Sequence, residues 1–267
     1  MRDPQTAARL MSREELAGQA TALLSRLRAK SPRVHCITNS VAQNFTANAL
    51  LALGAVPSMT LSGEEIGAFV ARSDALLVNL GTFDRERREA TSIAVDAASQ
   101  NGLPWVLDPV FIDRADQRAV YARDLILLEP KAIRLNAAEF TALSGAAPSR
   151  ETVEAYAGAR RLVVGLSGAT DLISDGERTA ALTNGHPLMA RVTAMGCAGS
   201  AIVAACLAVE PDALAATASA MLIVGIAGEM AAEKSPGPGS FAAAILDALY
   251  TIDGKTIAER ARTGLQR

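Results

Sequence analysis

Gly196 and Cys197 stand where the sequence predicts that a strand gives way to a long helix of small residues. The first turn of a helix leaves backbone N–H groups unpaired and carries partial positive charge, so it favours a bound anion, above all a phosphate. The same position lowers the pKa of a thiol, so we expect Cys197 to be unusually acidic. The alternative is a buried cysteine that packs as a small hydrophobe.

Two carboxylates and a guanidinium elsewhere in the chain suit the transfer of a phosphoryl group. Asp108 ends a predicted strand and Glu139 closes the run 136–139, so both are candidates to hold Mg²⁺, directly or through water. Arg134 is a candidate contact for phosphate oxygens. An aspartate before proline is also a common turn former, and Glu139 would be equally usual facing solvent. Composition alone therefore leaves a kinase as one hypothesis among several.

The elements that must position these residues are short apolar runs separated by helical stretches. The predicted strands are 34–38, 55–59, 75–79, 105–108, 133–135 and 162–167, and the predicted helices include 13–30, 42–53, 85–100 and 114–128. Continuous hydrophobicity is typical of strands buried on both faces, so we predict an α/β fold with a mostly parallel sheet covered by helices. Two short strands around Asp175 and Gly176 predict an antiparallel hairpin at the edge of this sheet.

Two helical regions carry further signals. Ser12 is a good N-cap for the helix 13–30, and Glu15 three residues later predicts a capping box. From residue 195 onward the chain is predicted to be almost wholly helical. The stretches 194–209 and 213–232 are apolar, but they are rich in Ala and Gly, and the first is too short to span a bilayer. We expect both to be buried on all sides within the protein or at a subunit contact.

Ligands of parallel α/β sheets bind beyond the carboxyl ends of the strands, and in this chain those ends are polar. They carry Asn39, Asn79, Asp108, Arg134, Ser167 and finally Gly196 with Cys197. Polar ends that meet at one edge of the sheet predict one shared site. For Asn79 and Thr82 taken singly, an ordinary role in a turn or cap is the expectation.

Composition argues against several kinds of partner. The chain has 267 residues, 50% of them hydrophobic, with 26 basic and 28 acidic side chains and a net charge of -2. It can bury a large core, shows no break that would divide residues 1–267 into two domains, and offers no track for nucleic acid or a membrane surface. Three cysteines without metal-ligand spacing and a polar start at residues 1–4 predict a cytoplasmic protein with a small-molecule partner.

The sequence lacks the motifs that three other kinds of chemistry require. No G-x-G-x-x-G motif follows the first predicted strand, and the run 254–256, which resembles the end of a P-loop, follows no strand. His35 and His186 are too few and too widely spaced to predict a serine-hydrolase triad. Dinucleotide binding, P-loop chemistry and serine hydrolysis are therefore not predicted.

A series of longer motifs runs in order along nearly the whole chain. The motifs occupy 34–39, 44–48, 50–59, 79–82, 107–110, 133–139, 184–187, 192–197 and 237–240. Together they resemble hydroxyethylthiazole kinase, the thiamine-salvage member of the ribokinase-like superfamily. The resemblance implies a three-layer ribokinase-like fold, and these motifs are specific to the family rather than to the fold.

The resemblance implies transfer of the ATP γ-phosphate to the hydroxyl of 4-methyl-5-(2-hydroxyethyl)thiazole, with Mg²⁺, in a homotrimer whose active sites lie between subunits. The matched site residues are Met59, Ala194, Asn39 and Gly196 for the thiazole, Arg134 and Ser167 for ATP, and Asp108 and Glu139 for the metal. Asn39 is expected to reach the thiazole from the neighbouring subunit. Cys197 takes the position at which related sugar kinases carry an aspartate base. We expect positioning and helix-end donors to supply most of the catalysis, with Cys197 tuning the rate.

The chain departs from the family pattern around the nucleotide and the metal. Residues 111–114 replace a glycine-rich continuation, residues 167–169 stand where Thr-Gly-Glu is usual, and Ala194 with Met195 replaces the first two residues of a Gly-Thr-Gly-Cys or Gly-Ala-Gly-Cys motif. These departures bear on ATP use more than on the thiazole pocket. Two alternatives stay open: a thiazole-binding protein with lost or weak kinase activity, and a kinase of the same fold that acts on another small alcohol.

Overall fold

A mostly parallel sheet forms the middle layer of the protein, and helices cover both of its faces. The computed structural model describes residues 8–264, and its strands are β1 (Arg9–Leu10), β2 (Arg33–Ile37), β3 (Val56–Ser58), β4 (Ala75–Asn79), β5 (Trp105–Asp108), β6 (Ala132–Asn136), β7 (Val163–Ser167), β8 (Asp171–Ser174) and β9 (Arg178–Leu182). In the sheet they follow the order β1-β9-β8-β7-β6-β5-β4-β2-β3. The predicted α/β class is confirmed.

The helices fall into two layers. They are α1 (Arg13–Lys30), α2 (Gln43–Leu53), α3 (Ile66–Ala71), α4 (Arg85–Gln100), α5 (Asp116–Ile126), α6 (Ala137–Ser144), α7 (Arg150–Arg160), α8 (Met195–Leu207), α9 (Ala213–Ala232), α10 (Pro238–Thr251) and α11 (Gly254–Arg260), with a short 3₁₀ helix at Pro187–Arg191. One apolar core packs α1, α2 and α8 to α11 against the sheet, and a second packs α3 to α7 against its other face. Strands β4 and β5 are buried along their whole length, which explains their continuous hydrophobicity.

The predicted hairpin is present, but it does not form the edge of the sheet. Strands β8 and β9 pair antiparallel, and β8 also pairs antiparallel with β7. Strand β1 lies outside them and pairs parallel with β9, with Arg9 opposite Arg178 and Leu10 opposite Thr179. A two-residue strand has too few residues for a recognisable pattern, so the sequence analysis missed it.

Helix α1 begins and ends where the sequence predicts, but its capping box is only half formed. The Ser12 side chain accepts a hydrogen bond from the Glu15 backbone N–H at 3.1 Å. The Glu15 carboxylate does not complete a box. It instead accepts two hydrogen bonds from the Arg9 guanidinium, at 2.8 and 2.9 Å. Strand β1 therefore brings Arg9 close to Glu15, and the Glu15 carboxylate pairs with this guanidinium instead of capping the helix.

Helices α8 and α9 are buried within one chain. Of the two predicted alternatives, burial within the protein and burial at a subunit contact, the structure shows the first. By length and composition α9 is the one helix in residues 8–264 that could cross a membrane, yet 83% of its most apolar window is buried inside the protein. Their Ala and Gly content lets neighbouring helices approach closely. The predicted polar start at residues 1–4 lies outside the described residues, and the single domain over 1–267 stays a prediction.

Candidate active site

Hydrogen bonds join the carboxyl ends of three neighbouring strands into one polar group. Asn79 and Asp108 lie opposite each other in the β4–β5 register, and the Asn79 Nδ2 atom donates to Asp108 Oδ2 at 2.7 Å. The Asn39 Nδ2 atom, just beyond β2, donates to Asn79 Oδ1 at 3.1 Å and to Cys197 Sγ at 3.3 Å. The structure therefore brings these four residues together at one edge of the sheet, where the sequence predicts a shared site.

Asn79 does more than the turn role expected of it. Its Oδ1 atom does accept from the Gly81 backbone N–H at 3.0 Å, as a turn residue would. Its Nδ2 atom, however, is the side-chain donor to a buried aspartate. Gly81 is required for this arrangement, because a Cβ atom there would lie 2.5 Å from Asn39 Nδ2. The position of Asn79 beside another polar strand end is the signal that identifies it.

Asn39 reaches Cys197 within a single chain. The hydrogen bond between their side chains therefore needs no neighbouring subunit. The Asn39 Oδ1 atom also accepts from the Ala42 backbone N–H at 3.0 Å, at the start of α2. This second bond fixes the orientation of the amide, so that its N–H groups face Asn79 and Cys197.

The Cys197 thiol is weakly acidic, contrary to the sequence prediction. Burial is the main cause, and the nearby Asp108 carboxylate adds to it, which together raise the pKa of Cys197 to about 11. The hydrogen bond from Asn39 acts in the opposite direction but is outweighed. Helix position alone predicts an acidic thiol because it takes no account of desolvation and of a like charge nearby. At neutral pH this side chain is a thiol and not a thiolate.

Asp108 and Glu139 are both buried carboxylates. Burial raises the pKa of Asp108, although the Arg134 charge and the Asn79 hydrogen bond oppose the shift. Burial also raises the pKa of Glu139, and the charge of Asp108 adds to it. Glu139 closes the capping box of α6 with Asn136 and accepts from the Phe111 backbone N–H at 3.0 Å. The alternative of a Glu139 that simply faces solvent is therefore wrong.

Arg134 lies over the first turn of α8 and borders a cavity of about 590 Å³. Its Nη1 atom donates to the Gly196 carbonyl oxygen at 3.1 Å. The cavity is lined by Arg134, 167–169, Asp171, 183–187, 189–190, 195–196, Gly199, Met221 and 224–225. Ser167 is part of this lining and donates its hydroxyl to the Leu135 carbonyl at 3.2 Å. Arg134, Ser167 and Gly196, which the sequence analysis singled out, are thus brought to one cavity.

The start of α8 has no side-chain cap, so its first N–H groups keep their potential to bind an anion. The residue at the cap position is Ala194, whose backbone is left-handed with φ of 69°. Phe111, in the segment where the family pattern is glycine-rich, is also left-handed with φ of 60°. Both departures from glycine therefore keep a backbone conformation that glycine adopts without strain.

Met59 follows β3, the outermost strand on its side of the sheet, and packs partly buried against the core that includes α8. Its two neighbours are held by the buried His35 ring, whose nitrogens lie 2.8 Å from Ser58 Oγ and 3.1 Å from the Thr60 carbonyl oxygen. The carbonyl can only accept, so Nε2 carries the proton and Nδ1 accepts from Ser58. No role for His35 is predicted from the sequence, because a lone histidine in an apolar strand offers no local signal for one.

Comparison with solved structures identifies the fold. A ribokinase-like superfamily protein from Enterococcus faecalis V583 superposes with a TM-score of 0.69 over 91% of this chain and 95% of that one, at 14% identity, which shows a likeness of fold alone. The fold of this chain is therefore of the ribokinase-like class. The predicted three-layer ribokinase-like architecture is confirmed.

The family follows from closer relatives. The family model "Hydroxyethylthiazole kinase family" matches residues 24–255. A hydroxyethylthiazole kinase of Pectobacterium carotovorum subsp. carotovorum is 44% identical over 255 residues, covering 91% of this chain and 97% of the relative. The structure of a hydroxyethylthiazole kinase protein from Pyrococcus horikoshii OT3 has a TM-score of 0.88 at 36% identity, covering 92% and 98% of the two chains. The chain belongs to the hydroxyethylthiazole kinase family, which confirms the resemblance found in the sequence.

Proposed function

We propose that this protein transfers the γ-phosphate of ATP to the hydroxyl group of 4-methyl-5-(2-hydroxyethyl)thiazole, as a step of thiamine salvage. Membership of a kinase family supports the reaction class. One observation carries the proposal: the cavity of about 590 Å³ opens onto the uncapped start of α8, and Gly196 belongs to both. A nucleotide in this cavity would direct its phosphates toward backbone N–H groups.

The cavity has the size and the charge that a nucleotide requires. Its volume of about 590 Å³ falls within the usual range for ligand sites, about 300–1,000 Å³. Arg134 supplies a guanidinium at one end, where it can form bidentate hydrogen bonds to phosphate oxygens. Negative charge that develops on the transferring group would be stabilised by this guanidinium and by the helix-end N–H groups.

The residues around Asp108 and Glu139 fit the Mg²⁺ that the family implies. Both are oxygen donors whose charged forms are disfavoured by burial, and the charge of Asp108 further raises the pKa of Glu139. A divalent cation would relieve this. Within residues 8–264 no group of three or more potential ligands gathers, which suits Mg²⁺, since it takes one or two carboxylates and completes its shell with water and phosphate. When bound, Mg²⁺ would neutralise charge on the phosphate groups.

The acceptor hydroxyl would lie near Cys197, at the start of α8. The thiol stays protonated at neutral pH because its pKa is about 11, so it is not available to take a proton. Phosphoryl transfer passes through a loose transition state, and orientation of the hydroxyl contributes more than its early deprotonation. Cys197 and Asn39 thus orient the acceptor and tune the rate.

We further propose a cytoplasmic homotrimer with active sites between subunits. The family resemblance supports the trimer. Apolar side chains on segments around β3 add to this support, since Val41, Leu51, Val56 and Phe69 are 42–69% exposed, and exposed apolar area of this kind is typical of protein contacts. Light scattering coupled to size-exclusion chromatography measures the assembly, and a monomer at micromolar concentration would overturn this part of the proposal.

A coupled ADP-release assay with Mg-ATP, run with and without the hydroxyethylthiazole, tests the reaction. Turnover that depends on the thiazole is the expected result. Turnover that is faster with another small alcohol would identify a different acceptor. No turnover, together with calorimetric binding of the thiazole but not of ATP, would identify a binding protein and overturn the proposal.

A further inference from the structure

Glu229 is a charged residue in an otherwise apolar, buried helix. Helix α9 runs from Ala213 to Ala232, and Glu229 is its only charged side chain. The Glu229 side chain is 12% exposed. Placing a carboxylate in such surroundings disfavours folding unless hydrogen-bond donors surround it, so its partners indicate what it does.

Three donors converge on the Glu229 carboxylate. The Gly185 backbone N–H and the Asn184 Nδ2 atom both donate to its Oε1 atom at 2.9 Å. The Arg262 guanidinium completes the set, with Nη1 donating to Oε2 at 3.1 Å. Two of the three donors therefore belong to the loop between β9 and the 3₁₀ helix.

This loop forms a wall of the cavity described above. Residues 183–187 line the cavity directly, and so do Met221, Val224 and Gly225 of α9, on the turns that precede Glu229. The loop lies close against the helix, since a Cβ atom at Gly225 would be 2.8 Å from the Asn184 carbonyl oxygen. Helix α9 thus supplies part of the cavity surface and also the carboxylate that holds the opposite loop in place.

Both the N–H groups and the oxygen of the Asn184 side chain form hydrogen bonds within the protein. Its Nδ2 atom donates to Glu229 and to the Arg260 carbonyl oxygen at 2.9 Å, and its Oδ1 atom accepts from the Arg262 backbone N–H at 2.8 Å. The amide therefore fastens the loop to the helix and to the last described segment of the chain. It has no N–H group left for a ligand.

We propose that Glu229 is a positioning residue for the nucleotide: it fixes the 183–187 wall of the cavity through Gly185 and Asn184. This inference rests on the proposed function, in which the cavity receives ATP. Loss of the Glu229 carboxylate would let the 183–187 wall move away from α9 and enlarge the cavity. The affinity for ATP would fall, whereas the hydrogen-bonded group around Asp108 and Cys197 would be unaffected.

Two substitutions of Glu229 and a control substitution at Glu233, four residues further along the chain, test the proposal. Glu229→Gln removes the charge but keeps one acceptor oxygen, and Glu229→Ala removes both. Glu233→Gln is the matched control, because Glu233 pairs with Arg260 at 2.6 Å and is 57% exposed. It also fastens the end of α11, and its side chain hydrogen-bonds with Arg260 rather than with the cavity loop. The measurements are steady-state kinetics for both substrates, calorimetric binding of a non-hydrolysable ATP analogue, and thermal unfolding.

We expect Glu229→Gln to raise the KM for ATP and the Kd for the analogue by about tenfold, the equivalent of one charge-assisted hydrogen bond. Glu229→Ala should raise both further, while the KM for the thiazole and all constants of Glu233→Gln stay at the wild-type values. Equal loss of affinity for both substrates, or unchanged analogue binding, would overturn the inference. Failure of the wild-type protein to bind the analogue would overturn the proposed function and this inference with it.

Discussion

The Asn79 amide links the ends of two strands: its Nδ2 atom lies 2.7 Å from the Oδ2 atom of Asp108, its partner in the β4–β5 register. The Oδ1 atom of the same amide accepts from Asn39, which also donates to Cys197. Two side-chain amides in series, those of Asn79 and Asn39, therefore connect the carboxylate proposed for the metal with the thiol beside the helix start.

Replacing Asn79 with alanine is expected to lower the free energy of unfolding by about 1–3 kcal/mol, because the buried Asp108 carboxylate loses one of its hydrogen-bond donors. Turnover should also fall, since Asn39 and Asp108 lose the amide that aligns them. Urea unfolding and steady-state assays measure the two effects. Asn101→Ala is the control: its exposed amide only donates to the Ala97 carbonyl at the end of α4. Equal losses in the two variants would contradict the role given to Asn79.

Cys197→Ala is expected to keep turnover within about tenfold of the wild-type value, because an orienting contact is lost and no proton acceptor is removed. The dependence of kcat on pH should have the same shape in both proteins. A loss of a thousandfold or more, or the disappearance of an ionisation from the wild-type profile, would show that the thiol acts as a base.

The raised pKa of Cys197 also predicts slow alkylation. With a pKa of about 11, only about one thiol in a thousand is ionised at pH 8. The rate with iodoacetamide should therefore rise about tenfold per pH unit between pH 7 and pH 10. Mass spectrometry of the modified peptide follows the reaction. Cys36, fully buried with a pKa raised to about 12, is the internal comparison and should react still more slowly. A rate that levels off below pH 8 would contradict the account.

Ala194→Gly is expected to stabilise the protein by about 0.5–1 kcal/mol, since relief of a left-handed alanine outweighs the extra flexibility of glycine in the unfolded chain. The matched control is Ala29→Gly, at an exposed position in the last turn of α1. There glycine replaces a right-handed helical alanine, and stability should fall by about 0.5–1 kcal/mol. The same sign for both changes in urea unfolding would contradict this explanation.

Asp108→Asn is expected to reduce kcat/KM by at least about a hundredfold, because the site loses the carboxylate that, in the proposed reaction, would hold Mg²⁺ near the phosphates. The free energy of unfolding without metal should not fall, since a neutral amide is less costly to bury than a carboxylate whose pKa is raised by burial. Mg²⁺ should raise the unfolding temperature of the wild type with ATP present but not that of the variant. A destabilised yet active variant would contradict the assignment.

Much of the fold could be predicted because its strands are buried on both faces. The bounds of β4 and β5 are those predicted, since an uninterrupted apolar run ends at a polar residue in each. Strand β1 could not be predicted, because its two residues are held by pairing with β9, a partner remote in sequence.

The candidate site was predicted in its residue types but not in its contacts. Asp108 and Arg134 are visible as polar residues at strand ends, and Glu139 follows the end of β6 closely, in the first turn of α6. The weak acidity of Cys197 cannot be predicted from the sequence, because the pKa of its thiol depends on burial and on Asp108, which the fold brings near. The role of Glu229 is also invisible locally, since its partners lie in a distant loop.

The most direct test of the central claim is mass spectrometry of the thiazole alcohol after incubation with the protein and ATP. If the protein catalyses the proposed transfer, a phosphate monoester of the hydroxyethyl group accumulates only when protein, ATP and Mg²⁺ are all present. The account also predicts one ADP for each ester formed. An unmodified thiazole in a sample that releases ADP, or an ester formed without Mg²⁺ after thorough chelation, would contradict it.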